Sequence, residues 1–175
     1  PIDSKLFATH RKNLSERLPA RALAITNAND VLPTNADGTF PIHPNSDLFY
    51  LSGIEQEESI LVLFPDCPNP KHREILFVRE PSEHLKIWEG YKHTKDDAQK
   101  ISGIQTVYWT KDFDNIFQLL AAEAETFFLN DNEHSRVANE VETRDQRFNK
   151  KIQLDYPLHK ICLLYTSDAA DDLGR

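Results

Sequence analysis

Glycine is scarce in this chain: five among 175 residues, each isolated. Nothing resembles the glycine-rich loop that cradles phosphate between a strand and a helix. Cysteine is scarcer still. Cys67 and Cys162 form no disulfide framework, which points to a reducing, cytoplasmic setting. Long apolar runs are absent: none approaches the roughly 20 residues of a membrane span, and the N-terminus has no signal-peptide hydrophobic region. Lys and Arg are dispersed under a net charge of −8, which argues against nucleic acid or an anionic membrane as the main partner. The seven histidines include no pair at two-, three- or four-residue spacing, so the helical zinc motif is missing. Ser52 lacks the preceding glycine of a nucleophile elbow.

What is present is an ordinary soluble composition, 39% apolar with ten phenylalanines. A chain of this size buries roughly 70% of its unfolded surface, enough to fold as one domain without metal or disulfide. The spacing of Leu6, Phe7, His10, Leu14 and Leu18 predicts an amphipathic helix over 3–18, capped by Asp3 or Ser4 and ended by Pro19. Residues 21–26 read as a buried strand, followed by a long connection dense in Asn, Asp, Pro and Gly. "ESILVLF" (58–64) and "REILFVR" (73–79) flank a Pro-rich turn and predict an antiparallel hairpin.

"PSEHLKIWEG" reads as a helix with Pro81 near its start and Gly90 past its end. Thr94 and Asp97 form an acidic capping box for a helix through Lys100. "TVYW" (106–109) and "TFFLN" (126–130) are strands around the clearest helix, where Phe113, Ile116, Phe117, Leu120 and Ala124 share a face. Residues 143–155 predict a polar helix. Strands alternating with helices, together with the hairpin, imply an α/β fold with a mixed β-sheet flanked by helices.

"SDLFYLSGI" (46–54) is too short for a comfortable helix and does not alternate. Asn45, Ser46 and Asp47 are expected to satisfy backbone donors in a turn, Phe49, Tyr50 and Leu51 to enter the core, and Gly53 to permit a tight exit.

No convincing catalytic constellation emerges from the residues themselves. Cys67 sits between prolines in a turn, Asp96 and Asp97 read as first-turn acids favoured by the helix dipole, and Asp131, Glu133 and His134 read as a solvated turn. The catalytic and metal-ligand sets are both expected to be empty in this chain.

The two ends stand apart. Pro1 occupies the first position, so the natural start is expected upstream. Residues 162–172 resemble the translation of a transposon-type sequencing adapter. The native domain is therefore expected to span residues 1–161 and the tail 162–175 to lie outside the fold.

"NADGTFPIHPNSDLFYLSGIEQEESILVLFPD" (35–66) resembles the marker segment of the aminopeptidase P N-terminal domain. "HREILFVREPSEHLKIWEGYK", "GIQTVYW", "NEHSRVANEVETRD" and "YPLH" continue the resemblance in order. Ile42, His43 and Pro44 depart from it, standing where the family commonly has an aromatic residue, Arg and Gln. The resemblance implies the creatinase/aminopeptidase P N-terminal fold, ribonuclease H-like, truncated before the catalytic domain.

By the same resemblance, the parent protein is a metallopeptidase, an Xaa-Pro aminopeptidase that releases an N-terminal residue preceding proline with two manganese ions. Its ligands (two Asp, one His, two Glu) lie in a C-terminal catalytic domain beyond this chain, and the fragment alone binds no metal and is inactive. The implied partners are that catalytic domain, proline-containing peptides through the parent, and further copies in a dimer or tetramer. The implied role is oligomerisation and control of active-site access. Trp88 matches a family tryptophan that reaches a neighbouring subunit's substrate pocket, and Tyr91, with Lys92, is an adjacent surface candidate. Two other readings are a stand-alone, non-enzymatic peptide-binding module of this fold and the N-terminal domain of a prolidase or creatinase relative.

Overall fold

The computed structural model describes residues 2–36, 38–82, 91–131 and 141–164. Helix α1 (Ser4–Ser15) starts at Asp3, whose carboxylate accepts the Lys5 N–H at 3.0 Å. Its buried face is Phe7 and Arg11 with Leu14 partly covered, while Leu6 is exposed. Strand β1 (Ala22–Asn27) is wholly buried. Helix α2 (Ser46–Ser52) answers the ambiguity at 46–54. Asn45 caps it through the Asp47 and Leu48 amides, and Gly53 closes it at φ +72°.

The core anchors of α2 are Leu48 and Leu51, not the expected aromatics. Phe49 is half-buried and Tyr50 faces outward, stacked on His10 with ring centroids 3.7 Å apart. A helix of seven residues is marginal alone, so burial of Leu48, Leu51 and Ile54 against the sheet sustains it.

Strands β2 (Ile60–Leu63) and β3 (Glu74–Val78) form the expected antiparallel hairpin. Helix α3 (Lys95–Ser102) carries the Thr94–Asp97 capping box, both halves of it made. Strand β4 (Thr106–Trp109), helix α4 (Phe113–Glu123), strand β5 (Thr126–Asn130) and helix α5 (Arg144–Asp155) complete the expected alternation. Strand β6 (Lys160–Leu164) was not expected. It takes in Cys162–Leu164, the start of the tail expected to lie outside the fold, and pairs Phe128 with Cys162 and Asn130 with Leu164. The sheet therefore continues past residue 161, because an apolar run beside a half-covered β5 has backbone groups to satisfy. The helix expected within 81–90 lies largely outside the described residues.

The six strands run in the order β4-β3-β2-β1-β5-β6. Among the described strands only the β1–β2 and β2–β3 pairs are antiparallel, so β2 alone of these runs against the rest. Leu23, Ile25, Val62, Phe77 and Phe127 face α4 and α5 on one side. Leu61, Leu63, Leu76 and Val78 face α2 and α3 on the other, with Leu14 of α1 at the margin. The result is a three-layer α/β/α sandwich around a mixed sheet.

Candidate functional site

Five strands point their carboxyl ends to one edge, which the start of β2 also joins. The strand order reverses at β1: the chain builds β2, β3 and β4 on one side of it, then crosses to lay β5 on the other. In open α/β sheets such a reversal opens a crevice beyond the carboxyl ends, where ligands bind. Buried polar side chains gather at this edge: Asn27, Gln56, Glu57, Ser59, Asn130 and Asn149.

On the β2–β3 side Glu57, 5% exposed, accepts Lys92 Nζ and Arg79 Nη1, the latter at 3.3 Å. Burial pushes the Glu57 carboxyl up, but the Lys92 and Arg79 cations and its own backbone N–H more than offset this, and it lies below its ordinary value. Next to it, Gln56 Oε1 accepts the His93 N–H at 2.7 Å. Glu58 sits at φ +58°, and its carbonyl accepts Arg144 Nη2 at 3.4 Å.

On the β1–β5 side Asn27 Nδ2 donates to Asp145 Oδ1 at 3.2 Å, and Asn130 Nδ2 donates to Asp47 Oδ2 at 2.9 Å. Asn149 Nδ2 donates to the Asn130 carbonyl at 3.1 Å. Burial pushes the Asp145 carboxyl up to about 6. The Asn27 amide and Arg144 pull the other way, while Asp131 and Asp47 add to the rise. Asp145 lies in the first turn of α5, where the helix dipole favours an anion, but desolvation wins.

The residues singled out in the sequence do not converge on this edge as a set. Trp88 lies outside the described residues, as do Glu133 and His134. Tyr91 is 75% exposed and donates its hydroxyl to Asp97. Lys92, expected at the surface, turns inward to Glu57 because a buried carboxylate needs a counter-charge. Asp97 is occupied by its cap: the Thr94 and Tyr91 hydroxyls hold its carboxyl at about 2. Burial raises the Cys67 thiol, the opposite of what a nucleophile requires. Ser52 Oγ donates to Leu48 O at 2.7 Å and accepts the Ile54 N–H at 3.2 Å, a structural duty. Ile42 is exposed, and the His43 carbonyl accepts from Asn29.

Among the described residues, no group of three or more His, Cys, Asp or Glu converges to hold a metal ion. The residues described do not fit a two-manganese site. Nor is any described helix long and apolar enough to cross a membrane.

The family model for the aminopeptidase P N-terminal domain matches residues 7–128. Xaa-Pro aminopeptidase 3 of Homo sapiens is 28% identical over 123 residues, covering 68% of this chain and 24% of that protein. The Xaa-Pro aminopeptidase of Escherichia coli K12 is 27% identical over 120 residues, covering 68% of this chain and 27% of its own length.

Among solved structures, a Bacillus anthracis protein assigned to aminopeptidase P superposes with a TM-score of 0.82 at 24% identity, over 95% of this chain and 39% of that one. Escherichia coli aminopeptidase P with the inhibitor Pro-Leu gives 0.71 at 21% identity, over 93% and 36%. This chain spans about a quarter of the length of the curated relatives it matches. With the family model covering residues 7–128 and the sheet shared with these neighbours, the chain belongs to the aminopeptidase P N-terminal domain family.

Proposed function

We propose that this chain is the non-catalytic N-terminal domain of a longer Xaa-Pro aminopeptidase, a cytoplasmic hydrolase that releases the N-terminal residue preceding proline. The match over residues 7–128 carries this reading, and the names of the relatives supply the substrate class. In it, two manganese ions would be held by the C-terminal catalytic domain and would supply the Lewis-acid chemistry of peptide hydrolysis there. The N-terminal domain contributes assembly into a dimer or tetramer and a wall beside the substrate entrance. Trp88 and Tyr91 are the residues assigned to that wall: a large rigid ring suits packing against a peptide end, and the exposed Tyr91 has the accessibility the role needs. Residues 162–175 are assigned to an adapter-derived tail whose first residues complete β6.

Manganese-dependent release of the first residue from an Xaa-Pro peptide tests the proposal. The longer polypeptide is expected to hydrolyse it and the 175-residue chain to be inactive. Hydrolysis by this chain alone would overturn the reading, as would a folded longer polypeptide with no activity.

A further inference from the structure

The notch between the carboxyl ends of β1 and β5 holds more acceptors than donors. Asp145 enters from α5, Asp47 from α2, and Asp131 comes directly after β5. Among the described residues one cation, Arg144, stands with them; its Nη2 is directed to the Glu58 carbonyl on the β2 side, and its Nε is buried without a partner, one donor against several acceptors. Asn27 is 1% exposed and Asn149 8%; each has its Nδ2 committed, to Asp145 and to the Asn130 carbonyl. Their two Oδ1 atoms are buried without a partner. Such acceptors are costly to bury unpaired. With Asn27 bonded to Asp145 and Asn149 one turn of α5 beyond it, these orphan amide oxygens suit a group rich in N–H donors and positive charge.

A divalent ion fits poorly, because among the described residues the carboxylates do not converge as ligands. A guanidinium fits better: it is planar, presents five donors in a rigid fork, and is only weakly hydrated.

We propose that the β1–β5 notch is a socket for one arginine side chain, carried by the polypeptide C-terminal to β6 in the longer protein. β6 runs parallel to β5 with Ile161, the last residue read as native, level with Phe127, so a strand continued from there runs toward Asn130 and the notch. The relatives continue well beyond this point, since the match covers about a quarter of them. The socket thus rests on reading this chain as part of a longer protein, but not on what that protein hydrolyses. An arginine seated there locks this domain to the C-terminal one and neutralises a surplus of carboxylates that would otherwise take up a proton.

The test is an NMR titration of the Asp145 carboxyl carbon in the 175-residue chain, with N-acetyl-L-arginine amide against sodium chloride at equal ionic strength. The arginine probe is expected to move the Asp145 midpoint to lower pH, by the equivalent of roughly a tenfold preference for the ionised carboxylate. The Asn27 and Asn149 side-chain amides should shift with it. Asp145→Asn should weaken the probe roughly tenfold in the same amide shifts. In the longer polypeptide Asp145 should already titrate low and ignore the probe.

Equal effects of probe and salt, or manganese chloride displacing the probe at these amides, would overturn the socket. A longer polypeptide in which Asp145 still answers the probe would overturn the assigned source. None of these readouts depends on peptidase activity, so loss of the Xaa-Pro reading and loss of the socket are separate outcomes.

Discussion

Lys92 closes an ion pair with Glu57, thirty-five residues back in the chain. Arg79 reaches the same carboxylate oxygen, so residues on either side of the 83–90 segment, which contains Trp88, are tied to one buried acid. Removing one partner strands the others. Glu57→Gln should destabilise the chain by about 3 kcal/mol in urea unfolding at pH 7. The double replacement Glu57→Leu with Lys92→Met should recover most of that loss. Because the Glu57 carboxyl is held below its ordinary 4.5, the pair's contribution is present above that pH and fades as pH falls through the lowered value.

Asp145 has the opposite sign. Its carboxyl is raised from 3.8 to about 6, so the folded chain holds a proton that the unfolded chain has released. Stability should fall as pH rises from about 4 to about 6 and then level off. Asp145→Asn should stabilise the 175-residue chain at pH 7 by about 2 kcal/mol, the carboxylate penalty less a helix-dipole contribution, and change little near pH 3.5. Urea midpoints at the two pH values measure this directly.

Arg11 is a tie-bolt at the other end of the sheet. At 1% exposed, its Nη1 donates to Leu51 O at 2.8 Å and Ser102 O at 2.9 Å, and its Nε lies 3.2 Å from Glu74 Oε1. It joins α1 to α2, α3 and β3. Arg11→Met keeps much of the stem but strands two carbonyls, and should cost about 3 kcal/mol in the same unfolding measurement. Arg11→Lys should restore less than half, since one ammonium cannot reproduce the fork.

Gly53 combines two demands. Its φ is +72°, and a Cβ there would lie 2.5 Å from the Phe7 ring. Gly53→Ala should cost about 2 kcal/mol or more, from left-handed strain and overpacking together. Phe7→Leu should relieve part of it in a double-mutant cycle read by thermal unfolding.

Much of this fold was legible because its signals are local. The Thr94–Asp97 box, the Phe113–Phe117–Leu120 stripe and the paired runs around the Pro-rich turn each declare themselves within a few residues. Arg11 did not, because between His10 and Lys12 it reads as one more charge on a polar face, and only the packing of α2 and α3 turns it inward. Helix α2 was ambiguous because its stability is tertiary. The carboxyl edge was invisible for a different reason: Asn27, Asp47, Asn130, Asp145 and Asn149 are brought together by strand crossover, which no local pattern encodes. β6 was hidden because the pairing of Cys162–Leu164 depends on the open side of β5, more than thirty residues away in the chain.

The central claim is that this chain is the leading, non-catalytic part of a longer metallopeptidase. Sequencing the source gene through codon 161 and onward tests it most directly. The account predicts a reading frame that departs from "CLLYTSDAADDLGR" and continues into a domain bearing two Asp, one His and two Glu as metal ligands. A genomic frame that encodes that tail and then stops would contradict it, and would make the chain a stand-alone binding module.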